Sequence, residues 1–258
     1  MANYCLVHGG CRGGWVWKRV ARHLREEGHD VYTPTMTRLG ERSHLLNATI
    51  NLSTNTQDIV NVIKFEELND VILCGHAYAG MIISGVADLI TERIAALVYL
   101  DAWVLEDGDS IFTLLPESMQ LSIIRNVARY GGYSCLGLPA EALQVNDWDR
   151  AWVDRMSTPH PLATMTEGIR LHGNHRKVKQ RIFALASAWA PSPFRRFYEK
   201  LQEDPAWIIR TIHCGHDAML DEPEEVANIL REVAEIALTE DRKSAPGAVF
   251  DAAQGDKR

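Results

Sequence analysis

An α/β fold, a mostly parallel sheet with helices on both faces and a helical cap inserted into it, is predicted here by three observations. Short apolar runs alternate with helical patterns along most of the chain, which is the rhythm of strand-helix-strand units. That rhythm breaks once, between residues 102 and 176, where helical patterns succeed one another with no strand between them. At 258 residues the chain suits one domain of this kind, large enough to bury about three quarters of its unfolded surface.

The elements follow in order. An apolar strand at 3–8 leads to a helical pattern at 16–27, a short strand at 30–34 and a helix at 53–65. Val71-Ile72-Leu73-Cys74 forms the centre of a strand at 70–75, followed by a helix at 79–89 and a strand at 94–101 that ends Leu97-Val98-Tyr99-Leu100-Asp101. Helical patterns at 118–130, 139–143 and 147–156 make up the insertion. The alternation then resumes with a strand at 181–186, a helix at 193–203, a strand at 207–213 and a helix at 222–239, which opens on Asp221-Glu222-Pro223. Acidic groups and a proline favour a helix start. The expected organisation is a core of 1–101 and 177–239, an all-helical cap of 102–176, and a poorly ordered polar tail of 240–258. Loops at the carboxyl ends of strands line the ligand crevice of an open α/β sheet, so the insertion would cover that crevice.

Composition narrows the function. A net charge of −7 with no basic run argues against nucleic-acid or anionic-membrane partners. No apolar run reaches the ~18 residues of a membrane span, and the N-terminus lacks the pattern of a signal peptide, so a cytoplasmic location is expected. The five cysteines, Cys5, Cys11, Cys74, Cys135 and Cys214, are odd in number and show no metal-type spacing, which suggests free thiols.

Three motifs carry chemistry. His8-Gly9-Gly10 follows the first strand, Gly75-His76-Ala77-Tyr78-Ala79-Gly80 joins a strand to a helix, and Gly215-His216-Asp217-Ala218-Met219 follows the last strand. The middle segment has the frame of a nucleophile elbow, G-x-S-x-G, with small residues where the turn is tight. Ala79 stands in place of the second glycine, and Ala77 stands in place of the serine. In this order the motifs resemble the α/β-hydrolase superfamily. The opening Leu6-Val7-His8-Gly9-Gly10-Cys11-Arg12-Gly13-Gly14-Trp15-Val16-Trp17 is similar to the esterase branch that includes plant methylesterases and hydroxynitrile lyases.

The resemblance implies a nucleophile position at Ala77, a general base at His216, and an oxyanion hole from the backbone N–H groups of Gly10 and Tyr78. No carboxylate follows the strand at 181–186, whereas Asp101 ends the strand at 94–101, so Asp101 is the expected acid and Asp217 the alternative. His8 is expected to hold its loop by hydrogen bonds, and Cys11 to border the pocket. The other histidines, His160 among them, show no partner in sequence. Trp103, Trp148 and Trp152 are candidate substrate contacts, the last two at helical spacing that serves a core equally well.

Such a site takes a small apolar or aromatic ester-like substrate, and carbamates and amides are open to the same machinery. No metal or organic cofactor is expected, and a homodimer is compatible with the sequence. Ala77 leaves three readings: a serine hydrolase silenced by a Ser-to-Ala change, a pseudo-enzyme that binds ligand, or a hydroxynitrile-lyase-like enzyme in which His216 acts as base without a covalent step.

Overall fold

The structure, a computed structural model, describes residues 1–45 and 47–244. Six strands form one parallel sheet: β1 (Asn3–Val7), β2 (Asp30–Tyr32), β3 (Val71–His76), β4 (Ile94–Leu100), β7 (Gln180–Ala186) and β8 (Ile208–Ile212), in the order β2-β1-β3-β4-β7-β8. Two further strands, β5 (Ser134–Cys135) and β6 (His160–Pro161), form a separate antiparallel ribbon. Every residue of β3 is buried, and near-continuous burial is what a parallel strand covered on both faces requires.

The helices are α1 (Lys18–Glu26), α2 (Leu52–Phe65), α3 (Ala79–Leu89), α4 (Ile111–Leu114), α5 (Glu117–Arg129), α6 (Asp147–Met156), α7 (Leu162–Thr166), α8 (Arg195–Leu201), α9 (Ala218–Asp221) and α10 (Pro223–Ser244). Helices α1 and α10 pack together, as do α2 and α3, and they flank the sheet. Asn51 starts α2 by accepting the Thr54 N–H at 2.9 Å, and Asn146 does the same for Asp149 at the head of α6. Both satisfy backbone donors that a helix start would otherwise leave orphaned.

Three expectations need correction. The insertion is not all-helical, because the β5–β6 ribbon crosses it, and strands of two residues are too short to show an alternating pattern. Residues 139–143 make one turn instead of a helix, which Gln144 ends in a left-handed conformation (φ 56°). The last helix runs to Ser244 and not Thr239, since Glu, Arg and Lys are good helix formers. The remainder of the expected tail, 245–258, lies outside the described residues. No helix among the described residues is long and apolar enough to cross a membrane.

The strand order reverses between β1 and β3, with β2 on one side of β1 and β3 on the other. A crevice opens at such a switch point beyond the carboxyl ends of the strands. The loop after β1 and the elbow after β3 therefore meet there.

The cap returns to the core through a loop held by Asp88, a buried carboxylate on α3. Its Oδ2 accepts the N–H and Nδ1 of His172 at 2.6 and 3.1 Å, and its Oδ1 accepts those of His175, both at 3.2 Å. His172 is exposed, but His175 faces inward. Burial alone would raise the Asp88 pKa, yet these four donors hold it well below the usual carboxylate range. A folded-state pKa below the unfolded value of about 3.9 adds stability that is complete above that pH and is lost as pH falls toward the folded value. Asp88→Asn, with one acceptor oxygen for four donors, should lower stability by about 1–3 kcal/mol at pH 7. Urea midpoints measured from pH 3 to 7 should show a flatter acid limb in the variant; parallel curves would rule out this role.

Candidate active site

The elbow is built by close approach. A side chain at Gly75 would sit 2.6 Å from the Ala79 carbonyl oxygen, and one at Gly80 would sit 2.1 Å from that of Trp103. Neither distance is one that a Cβ tolerates, so glycine at both places allows α3 to start directly over the end of β3. Ala77 occupies the apex with φ 51°, left-handed backbone that costs a non-glycine residue roughly 1–3 kcal/mol. Its N–H reaches the Leu100 carbonyl at 3.3 Å and its carbonyl accepts from Gly80 and Trp103 at 3.2 and 3.1 Å, so the turn is held on three sides.

Asp101 also adopts a left-handed backbone (φ 42°) just past the end of β4. Its N–H is fixed to the Ala184 carbonyl at 2.7 Å, and its carboxylate is fully buried. One oxygen accepts the Ala186 N–H at 3.3 Å, and the other lies 2.6 Å from His216 Nδ1. Burial pushes the Asp101 carboxyl upward, with the His216 bond opposing the shift. A carboxylate only accepts, so His216 carries a proton on Nδ1, and in the neutral ring the lone pair is on Nε2. The ring is clamped by Trp189 (centroids 4.4 Å), Phe194 (5.4 Å, nearly parallel) and His76 (4.4 Å).

Asp217 does something else. It is fully buried and takes Arg12 Nε and Nη2 on one oxygen, at 3.2 and 2.9 Å. Burial raises its pKa and the Arg12 charge more than offsets this, leaving it below the ordinary range. Asp217→Asn would leave the Arg12 guanidinium buried without a counter-charge, which should cost about 3–5 kcal/mol of stability. A urea midpoint shift corresponding to under about 1 kcal/mol would show that solvent reaches Arg12 after all.

His76, His216 and Asp217 each place one potential ligand atom within 4.8 Å of the others. The donor set nevertheless suits a cation poorly. His76 Nε2 lies 3.0 Å from the His216 carbonyl, which only accepts, so that nitrogen is protonated, while Asp217 is neutralised by Arg12.

Ala77, His216, Gly10, Cys11 and Tyr78 border one cavity of about 550 Å³, whose wall is otherwise mainly apolar: Trp103, Ile111, Leu115, Trp189 and Phe194. A smaller hollow of about 290 Å³ beside Tyr4, His29 and Arg231 contains none of these groups. Trp103 is thus where the sequence suggested, but Trp148 and Trp152 are not. Trp148 is 95% exposed, and Trp152 packs edge-on against Trp15 at 4.8 Å. Helical spacing gives two residues a common side without saying what that side meets. His8 binds its loop as expected, with Nδ1 on the Gly9 carbonyl (2.8 Å) and Nε2 accepting the Met36 N–H (3.1 Å). Cys11 borders the cavity, and burial pushes its thiol upward, away from the thiolate form.

Sequence reading missed Arg12, Trp189, Phe194 and His160. His160 enters from the cap, is 3% exposed and lines the cavity next to Gly10 and Tyr78. Trp189 and Phe194 follow β7 in a stretch that carries no titratable group to mark it as part of a site.

A family model for the alpha/beta hydrolase family matches residues 6–229. The chain belongs to this family. By family it is a carboxylic ester hydrolase: it is 43% identical over 240 residues, 89% of its own length and 98% of the relative's, to the carbendazim hydrolyzing esterase of Nocardioides sp. (strain SG-4G). It is also 30% identical over 109 residues to putative methylesterase 11, chloroplastic, of Arabidopsis thaliana, covering 42% of this chain and 28% of that one. Among solved structures this hydrolase is similar to an extracellular alpha/beta-hydrolase from a Paenibacillus species, with TM-score 0.76, 22% identity, and 90% and 99% of the two chains covered. A pyrethroid hydrolase from Sphingobium faniae JZ-2 matches with TM-score 0.71, 19% identity, and 92% and 99% coverage. At these identities the structural likeness speaks for the fold of the hydrolase.

Proposed function

We propose that this chain is the frame of a serine ester hydrolase whose attacking hydroxyl has been replaced by the methyl group of Ala77. The observation that carries the proposal is the Asp101–His216 pair at 2.6 Å beside an Ala77 still held at φ 51°. A buried carboxylate and a left-handed alanine each cost stability, and neither is of use to an ordinary strand-to-helix joint. With serine at position 77, the hydroxyl would attack the substrate carbonyl. His216 Nε2 would take the proton and return it to the leaving group, and Asp101 would hold the imidazole in the required tautomer. The N–H groups of Gly10 and Tyr78 would receive the developing oxyanion, and water would release the acyl group.

The cavity volume and its aromatic wall favour a small apolar or aromatic substrate. The cleaved bond is an ester, and carbamates and amides are accessible to the same groups. The name of the Nocardioides relative makes carbendazim a natural probe. The test is Ala77→Ser, assayed with aryl and alkyl esters, carbendazim and a fluorophosphonate label. Hydrolysis and labelling are expected from the serine form alone. If the serine form neither turns over nor labels, the chain is a ligand-binding protein that keeps the cavity without chemistry.

A further inference from the structure

We propose that His160, contributed by the cap, is a positioning residue that fixes the oxyanion loop so that Gly10, and not Cys11, presents its N–H to the reacting carbonyl. This rests on the reading of Gly10 and Tyr78 as oxyanion donors.

The tautomer of His160 follows from its neighbours. Thr164 Oγ1 is 2.7 Å from the Pro161 carbonyl and 2.7 Å from His160 Nε2. The carbonyl only accepts, so the single hydroxyl proton goes to it, and Thr164 must accept from His160 Nε2–H. His160 Nδ1 is therefore a bare lone pair, and the Cys11 N–H donates to it at 3.4 Å. The Cys11 carbonyl in turn accepts the Thr158 N–H at 2.9 Å, from the same cap segment. Both polar backbone groups of Cys11, a residue in left-handed conformation (φ 63°), are thus held by the cap.

Two consecutive amides, Gly10 and Cys11, could serve an oxyanion after β1. The one at Cys11 is taken by His160. The same imidazole meets the Tyr78 ring edge-on at 4.7 Å and stands beside Gly10, where a Cβ would lie 3.5 Å from its Nδ1, so a single side chain borders the residues that supply both proposed donors. Complete burial, with the neighbouring His8 and Arg38 opposing any further positive charge, brings the His160 pKa down to about 3, and the ring stays neutral. Backbone donors stabilise an oxyanion only when they are aimed beforehand, and here the aim comes from a residue of the insertion.

Two measurements use the chain as it stands. Long-range proton–nitrogen NMR should show His160 protonated on Nε2 and unchanged from pH 5 to 9; protonation on Nδ1, or titration in that range, would overturn the proposal. Amide exchange at Cys11 should quicken about tenfold or more in His160→Phe, while amides within β1 stay protected; unchanged exchange at Cys11 would equally overturn it. In the Ala77→Ser background, His160→Phe should lower kcat by roughly 10- to 100-fold with KM within about threefold, since a donor is misaimed and not removed. His160→Asn, whose side-chain oxygen can stand near Nδ1, should recover most of that loss. Equal losses in the Phe and Asn variants, or a change in KM alone, would sink it. Should Ala77→Ser show no hydrolysis at all, the functional reading fails, while the tautomer and exchange measurements still decide the role of His160.

Discussion

Ala77→Ser is expected to raise turnover on an activated aryl ester by up to about 10⁶-fold. That factor corresponds to about 8 kcal/mol of transition-state stabilisation. It is large because a triad works as a unit: without the nucleophile, base and acid have nothing to act upon. The added hydroxyl needs no rebuilding of its surroundings. The backbone at residue 77 already has the elbow conformation, and Gly75 and Gly80 already permit the helix to start there. Serine adds one oxygen to a site bordering the cavity, so the Tm should move little. Binding of an unreactive substrate analogue should be similar in the two forms, because ground-state contacts come from the cavity wall. A serine form that folds, binds the analogue and yet shows no turnover would mean that His216 Nε2 is not directed at position 77.

The second large effect concerns the acid. In the Ala77→Ser background, Asp101→Asn should reduce kcat by about 10⁴-fold while leaving the fold intact. An amide offers an NH₂ group to His216 Nδ1 where the carboxylate offered an acceptor. The imidazole then favours the tautomer with its proton on Nε2, which has no lone pair to take a proton from serine. Asp217 does not stand in, because it is held by Arg12 at 2.9 Å and His216 Nδ1 points at Asp101. The two aspartates should therefore separate by assay: Asp101→Asn shows in kcat and Asp217→Asn in the urea midpoint. Hydrolysis surviving Asp101→Asn would transfer the acid role away from β4.

These groups were legible in sequence to different degrees, for physical reasons. Ala77, His216, Asp101, Gly10 and Tyr78 lie at strand ends, where a parallel sheet must converge, and strand ends are marked by apolar runs stopping at glycine or a charge. Helices α3 and α6 match the expected 79–89 and 147–156 because their periodicity is long and their starts are abrupt. What could not be read were contacts made across the insertion. His160 gains its meaning from Thr164 four residues on and from Cys11, 149 residues away; no local pattern signals the second partner. Arg12 and Asp217, 205 residues apart, are the same case. Trp148 shows the reverse error, for an aromatic at helical spacing looked like a contact and faces solvent.

The stitching of the cap has a consequence for ligand traffic. Arg12 Nη1 donates to Ser157 at 2.6 Å, Thr158 N–H to the Cys11 carbonyl at 2.9 Å, and Gly40 N–H to Thr158 Oγ1 at 3.1 Å. The stretch from the end of α6 to β6 is thereby anchored to the loop after β1, and swinging it aside would dismantle that loop. On the α5 side, Met119, Ser122 and Ile123 line the cavity and much of the helix surface is solvent-exposed. Substitutions at these α5 residues are therefore expected to change the rates at which a ligand binds and leaves, measured by stopped flow, more than substitutions between α6 and β6.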